Sequence, residues 1–238
     1  MAIWVGTSGY NYPEWKGSFY PEKLPSSQML SYYSERLSTV EVNYTYYRMP
    51  NAKTLESWSI ATPERFKLTL KAPKRITHDA RLKDCADNVR YFTQIAARLG
   101  PKLGVLLFQL PPNFRRDVAV LDAFIETLPA DVCAAFEFRH GSWLVDEVYD
   151  RLRARNLALC IADSQTMTTP VVATADYAYF RLRDEGYTAE DIARWAATIH
   201  EQGLARREVY VYFKHEGEGR GPEFARALLE RLAQHASA

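Results

Sequence analysis

No stretch of the chain approaches the roughly 20 consecutive apolar residues that span a bilayer, and residues 1–10 lack the charged-then-apolar layout of a signal peptide. A soluble, cytoplasmic protein with no membrane partner is therefore expected. An excess of charge of one sign is also missing. With 30 Lys+Arg against 29 Asp+Glu in 238 residues, bulk charge alone cannot drive binding to a polyanion. Cysteine is scarce: Cys85, Cys133 and Cys160 are odd in number and widely spaced, which fits neither a disulfide framework nor a zinc knuckle, so they read as packing residues. No GxGxxG or Walker spacing cradles a nucleotide phosphate, no HxH, HExxH or CxxC spacing marks a transition-metal centre, and no GxSxG elbow presents a serine nucleophile. A Pro/Gly/Ser-rich linker and an internal repeat are likewise absent.

What the chain does have is material for a core, with 47% hydrophobic residues, arranged in short runs rich in β-branched and aromatic side chains. Eight such runs read as strands, at 3–7, 39–43, 66–71, 104–110, 134–139, 157–163, 177–182 and 208–214. Helical periodicity fills most of the gaps. Asn51 is placed to cap a helix through Trp58, Gly100 to close one through Leu99, and Thr188 with Asp191 to form a capping box on a helix ended by Gly203. The crossover at 164–176 is Thr-rich, holds Pro170 and has no apolar stripe, so a loop or short turn is expected between strands six and seven. Strand–helix alternation over this length predicts a (β/α)₈ TIM-barrel-like single domain across 1–238, with an open doubly wound sheet as the alternative.

In such a barrel, chemistry is built at the C-terminal ends of the strands. Those ends carry Glu41 and Asn43, Lys71, Gln109, Glu137 and Arg139, Asp163, Arg181, and Lys214. Alternation places Phe136 and Phe138 under the helices and turns Glu137 and Arg139 inward, with Lys71, Arg181, Glu41 and Asn43 in the same parity. Three acids and four bases converge, which suits an anionic ligand group and lets each charge shift its neighbours' pKa. Tyr10, Trp15 and Tyr46 near the first two strand ends, with His140 and Trp143 after the fifth, add rings that stack on sugars or bases. A closed ion-pair network that merely plugs the barrel top is the competing structural reading.

The strings GTSGYNYPEWKGSFYP at 6–21, TVEVNYTYYRMP at 39–50, LKAPKRITHDARL at 70–82, LLFQLPPNF at 106–114, EFRHGSW at 137–143 and IADS at 161–164 together resemble the YecE-like family, domain of unknown function seventy-two. The resemblance covers nearly the whole chain in order. It implies a TIM-barrel-like fold and no particular activity. It departs late: where the family usually reads Arg-Leu-His-Gly, this chain has Arg181-Leu182-Arg183-Asp184, and where it usually reads Phe-Asn-Asn, Phe213-Lys214-His215.

Three functions are consistent with these residues. The first is a hydrolase-like enzyme on a phosphorylated or phosphodiester substrate, with Lys71, Arg139 and Arg181 holding the anion and Glu137 or Asp163 as acid or base. No cofactor is predicted, although carboxylates and substrate oxygens together would suit a divalent ion such as magnesium. The second is a glycosidase using two of Glu41, Glu137 and Asp163 on a sugar or sugar acid. A nucleic-acid-binding module is the third, disfavoured by the neutral charge balance. Oligomeric state is not readable from these residues.

Overall fold

The computed structural model describes residues 2–236. Its strands are β1 (Ala2–Ser8), β2 (Thr39–Val42), β3 (Lys67–Lys71), β4 (Leu103–Gln109), β5 (Ala134–Glu137), β6 (Ala158–Ser164), the two-residue β7 (Met167–Thr168), β8 (Tyr177–Leu182) and β9 (Glu208–Phe213). All except β7 pair in parallel, in the order β5-β4-β3-β2-β1-β9-β8-β6, and β5 also pairs with β6, so eight strands close into a barrel. The helices outside it are α1 (Met29–Ser34), the single turn α2 (Tyr44–Tyr47), α3 (Ala52–Ile60), α4 (Ala86–Ala96), α5 (Val118–Ile125), α6 (Asp146–Ala154), α7 (Ala189–Leu204) and α8 (Arg220–Ala236). This is a (β/α)₈ TIM-barrel-like fold. No described helix is long and apolar enough to cross a membrane.

Local signals set the element ends. The Asn51 side chain accepts a hydrogen bond from the Thr54 amide at the start of α3, and Thr188 and Asp191 form the reciprocal capping box of α7. Gly100, at φ 53° and ψ −129°, breaks the chain away from the helical turn after α4, a conformation costly for any residue with a Cβ. Gly203 does not end α7, which runs one residue further to Leu204. Between β6 and β8 there is no helix. The chain folds back antiparallel as β7, pairing Asp163 with Thr168, before Pro170.

The barrel separates two apolar layers by strand parity. Phe108, Phe136, Phe138, Ile161 and Phe180 point outward into the helix-covered core, while Leu107, Ala135, Cys160, Tyr179 and Tyr212 fill the lumen. Buried tyrosines need partners for their hydroxyls. Tyr212 finds Thr69 at 2.7 Å and Thr39 at 2.9 Å across the lumen. Above this layer, toward the strand C-termini, the interior turns polar, and there the candidate site begins.

Candidate functional site at the barrel mouth

Glu41 on β2, Glu137 on β5 and Arg181 on β8 lie across the lumen from one another, each at most 1% exposed. Arg181 gives Nε and Nη2 to Glu41 at 2.8–3.1 Å and Nη1 to Glu137 at 3.0 Å, and Nη2 also reaches Ser8 Oγ at 3.0 Å. The remaining carboxylate capacity is filled as well. Ser8 and Tyr179 donate to Glu41, Gln109 donates to Glu137 at 2.8 Å, and Arg183 reaches the same carboxylate at 3.3 Å. Burial by itself would push both carboxyls up, but the Arg181 guanidinium and these donors outweigh it. Glu41 is held down at about 2, and Glu137 is also lowered, by Arg181, Arg183 and Gln109. Both carboxylates are therefore ionised, saturated acceptors.

Lys71, at the end of β3, has the opposite surroundings. Its side chain is nearly buried, yet among the described residues its amine has no hydrogen-bond or ion-pair partner. Nζ stands 4.3 Å from the centre of the Tyr46 ring. Burial, then the neighbouring Arg181, lower its pKa to about 7 against the upward pull of Glu41 and Glu137. A large fraction of this amine is thus neutral near neutral pH.

Lys71 forms one wall of a cleft of about 590 Å³ over the ends of β1, β2, β3 and β9. Tyr10, Tyr12, Tyr44, Tyr46, Tyr47 and Trp58 also line it. Gly9, at φ 91°, makes room for this wall, because a Cβ there would meet the Tyr12 hydroxyl at 2.3 Å. Polar groups complete the lining, among them Lys214, Glu216 and Asn43. Lys214 pairs with Glu216 at 3.3 Å, and Asn43 donates to Ser8 Oγ at 3.0 Å while its Oδ1 is buried without a partner.

The structure therefore divides the residues expected at the mouth. Tyr10, Asn43, Tyr46, Lys71 and Lys214 line the cleft, and Glu41, Gln109, Glu137 and Arg181 form the network beneath it. Arg139 lies close enough to act on Tyr46, whose pKa burial raises against the pull of Arg139, and on His78, whose pKa is lowered by burial, Lys71 and Arg139; it has no hydrogen bond or ion pair among the described residues. Asp163 is not with them. Ala158, Cys160 and Ala162 take the inward positions of β6, so Asp163 faces out and accepts from Tyr187 at 2.8 Å, Thr168 at 2.8 Å and Trp195 at 3.2 Å, fastening α7 to the barrel. Two expected ring platforms are packing residues. Trp15 is fully buried and donates to the Glu216 carbonyl at 2.9 Å, while Trp143 is fully buried, stacks on Phe138 at 4.9 Å and donates to the Phe114 carbonyl. His140 caps the turn after β5 by accepting from the Ser142 amide at 3.2 Å.

Sequence reasoning did not select Trp58, Glu216 or Arg183 as site residues. Trp58 reads as one more apolar position on α3, and only the tertiary fold brings it to the cleft, edge-on to Tyr44 at 6.0 Å. Arg183 was visible as a departure from the family pattern. Among the described residues no cluster of three or more His, Cys, Asp or Glu is gathered that could hold a metal ion. The oxygens of Glu41 and Glu137 are already taken by guanidinium and hydroxyl donors.

A family described as "Protein of unknown function DUF72" matches residues 4–238. The chain belongs to this family. Among its relatives, UPF0759 protein YecE of Escherichia coli K12 is 30% identical over 139 residues, which is 58% of this chain and 48% of YecE, so the match spans about half the length of that protein. UPF0759 protein YunF of Bacillus subtilis 168 is 24% identical, over 97% of this chain and 94% of its own. In three dimensions, a DUF72 protein of Thermotoga maritima MSB8 superposes with a TM-score of 0.82 at 29% identity, covering 98% of this chain and 100% of its own. A DUF72 protein of Enterococcus faecalis V583 gives 0.82 at 20% identity, covering 97% and 95%, a likeness of fold alone.

Proposed function

We propose that this DUF72 chain is an enzyme acting on a small anionic, hydroxyl-bearing substrate held in the cleft, with the Lys71 amine as the reacting group. The observation that carries this reading is the nearly buried amine that lines the cleft with no hydrogen-bond or ion-pair partner among the described residues. A buried ammonium with no counter-ion is costly, and a lysine serving only the fold would have been replaceable by an apolar residue.

In the hydrolytic form of this reading, neutral Lys71 takes a proton from an attacking water, a task for which a pKa of about 7 is well matched. Lys214, and Arg139 with no ion pair among the described residues, supply positive charge for a phosphate or carboxylate and for charge that develops on it. The aromatic walls offer stacking surfaces for a sugar ring. Glu41 and Glu137 serve differently from what their position alone suggests: with lowered pKa values and full sets of donors, they hold Arg181 and Ser8 in place and have no proton to give at neutral pH. A glycosidase pair needs one carboxyl protonated, so the geometry favours the lysine-centred reading.

The test is thermal stability against sugar phosphates, sugar acids, neutral sugars, nucleotides and single-stranded DNA. A ligand at a hundred times its Kd adds about 2.7 kcal/mol. Stabilisation by an anionic sugar derivative, weakened in Lys214→Met, is the expected result. No stabilisation by any small anion would remove the reading, and a shift only with DNA would replace it with the binding-module alternative.

A further inference from the structure

We infer that Lys71 Nζ captures the open-chain carbonyl of a hydroxylated aldehyde or ketone, of the sugar-phosphate or sugar-acid class, as an imine. This rests on the reading of Lys71 as the reacting group and goes beyond it by naming the electrophile.

Three features of the cleft converge on that chemistry. An amine attacks a carbonyl only through a free lone pair, and among the described residues Lys71 is the cleft amine with neither a hydrogen bond nor a carboxylate partner, whereas Lys214 is tied to Glu216 at 3.3 Å. The buried Asn43 Oδ1 in the same cleft is an acceptor without a donor. A small turn of the Asn43 side chain, which itself lines the cleft, would bring this oxygen to a ligand hydroxyl, so a polyhydroxylated chain fits where a bare hydrocarbon would leave it orphaned. The Tyr46 face, 4.3 Å from Nζ, then lies against the nitrogen as it becomes a cationic iminium, an interaction that a neutral product lacks. Acid–base hydrolysis normally uses two groups, and here the carboxylates that would supply the second are saturated by Arg181, Ser8, Tyr179 and Gln109. Imine formation needs only the amine to begin. The lowered pKa of Lys71 supplies the neutral form for the attack.

The step balances without a further reagent. The Nζ lone pair forms the C–N bond while the carbonyl π pair moves to oxygen, and a proton passes from nitrogen to that oxygen to give the carbinolamine. Loss of the hydroxyl as hydroxide leaves the C=N bond as an iminium that keeps the second nitrogen proton, the cation that lies against the Tyr46 face; when that proton passes to the hydroxide, the neutral imine remains and both amine hydrogens have left with the carbonyl oxygen as one water. Hydrolysis by the reverse path frees the lysine.

The experiment uses the full chain, glyceraldehyde 3-phosphate as probe and uncharged glyceraldehyde as its counterpart, with sodium borohydride to reduce any imine to a stable secondary amine, followed by peptide mapping by mass spectrometry. One dominant adduct on Lys71 is expected, and labelling by the phosphate about tenfold faster than by glyceraldehyde, the worth of one charge-assisted contact. Lys214→Met should erase that preference, and Asn43→Leu should slow both probes. The mapping is done on the unaltered chain, so it does not depend on any variant folding. Adducts spread evenly over exposed lysines, or an unlabelled Lys71, would overturn the inference. If the probe raises Tm yet leaves Lys71 unlabelled, only the imine falls; if it neither binds nor labels, the proposed function falls with it.

Discussion

Arg181 and Lys71 stand on opposite strands of one barrel, both nearly buried, yet their surroundings differ in kind. Every guanidinium nitrogen of Arg181 meets an acceptor, and each of its two carboxylate partners meets further donors. Among the described residues the Lys71 amine meets a ring face and open cleft, with no hydrogen bond or ion pair. A satisfied buried network is a structural device that holds strands in register, and removing one member leaves the rest unpaired in a low dielectric. An unsatisfied buried cation costs stability in the free protein, and that cost is relieved when the group loses its proton or when something binds to it or reacts with it.

Substitutions at the two positions should separate along that line. The largest effect on stability is expected for Arg181→Met, which strands Glu41 without its counter-ion and leaves Glu137 with Arg183 alone, and should cost about 3–5 kcal/mol in urea unfolding, enough to threaten the fold. Lys71→Met should do the reverse. It should abolish turnover or labelling by at least about a hundredfold while leaving stability at pH 6 unchanged or higher, because no bond is lost and a buried charge is removed. If Lys71→Met unfolds the protein while Arg181→Met is tolerated, the division drawn between the two positions is wrong.

pH sharpens the same contrast, with opposite signs. The Glu41 carboxyl is depressed to about 2 in the folded state, below its unfolded value near 4.3. Its stabilising contribution is therefore complete above the unfolded value and is lost as pH falls through the window between the two. Lys71 is depressed to about 7 in the folded state, against an unfolded value near 10.4. Its destabilising cost is full below pH 7 and is relieved as pH rises, since the unfolded chain then binds the extra proton. The stability gain of Lys71→Met over the unaltered protein should accordingly shrink from about pH 7 toward about pH 10, followed by urea titrations across that range. The smallest effect is expected at Asp163→Asn. Its Tyr187, Thr168 and Trp195 donors lie on the helix side of the barrel, so the cost should be about 1 kcal/mol, with ligand binding unchanged. A loss of activity there with normal stability would draw Asp163 back into the site.

Much of this was legible from residue order. Phe136 and Phe138 on one parity, Ala135 and Glu137 on the other, told which face of β5 met the helices, because a strand's side chains must alternate. The same rule, applied to Ala158, Cys160 and Ala162, would have turned Asp163 outward; its position at a strand end masked the signal. The two tryptophans were harder. Trp15 and Trp143 sit in loops, where no period says whether a ring faces ligand or core, and carbonyls distant in sequence, those of Glu216 and Phe114, decided both.

By itself the sequence determined the barrel, its strand ends, the caps at Asn51 and Thr188, and the convergence of Glu41, Glu137, Arg181 and Lys71 on one end, since all of these follow from period, parity and local hydrogen bonding. Only the tertiary structure decided how the converging charges were shared. Pairing depends on angstrom-scale distances between strands far apart in the chain, and at that scale Arg181 takes both carboxylates and Lys71 is left with none.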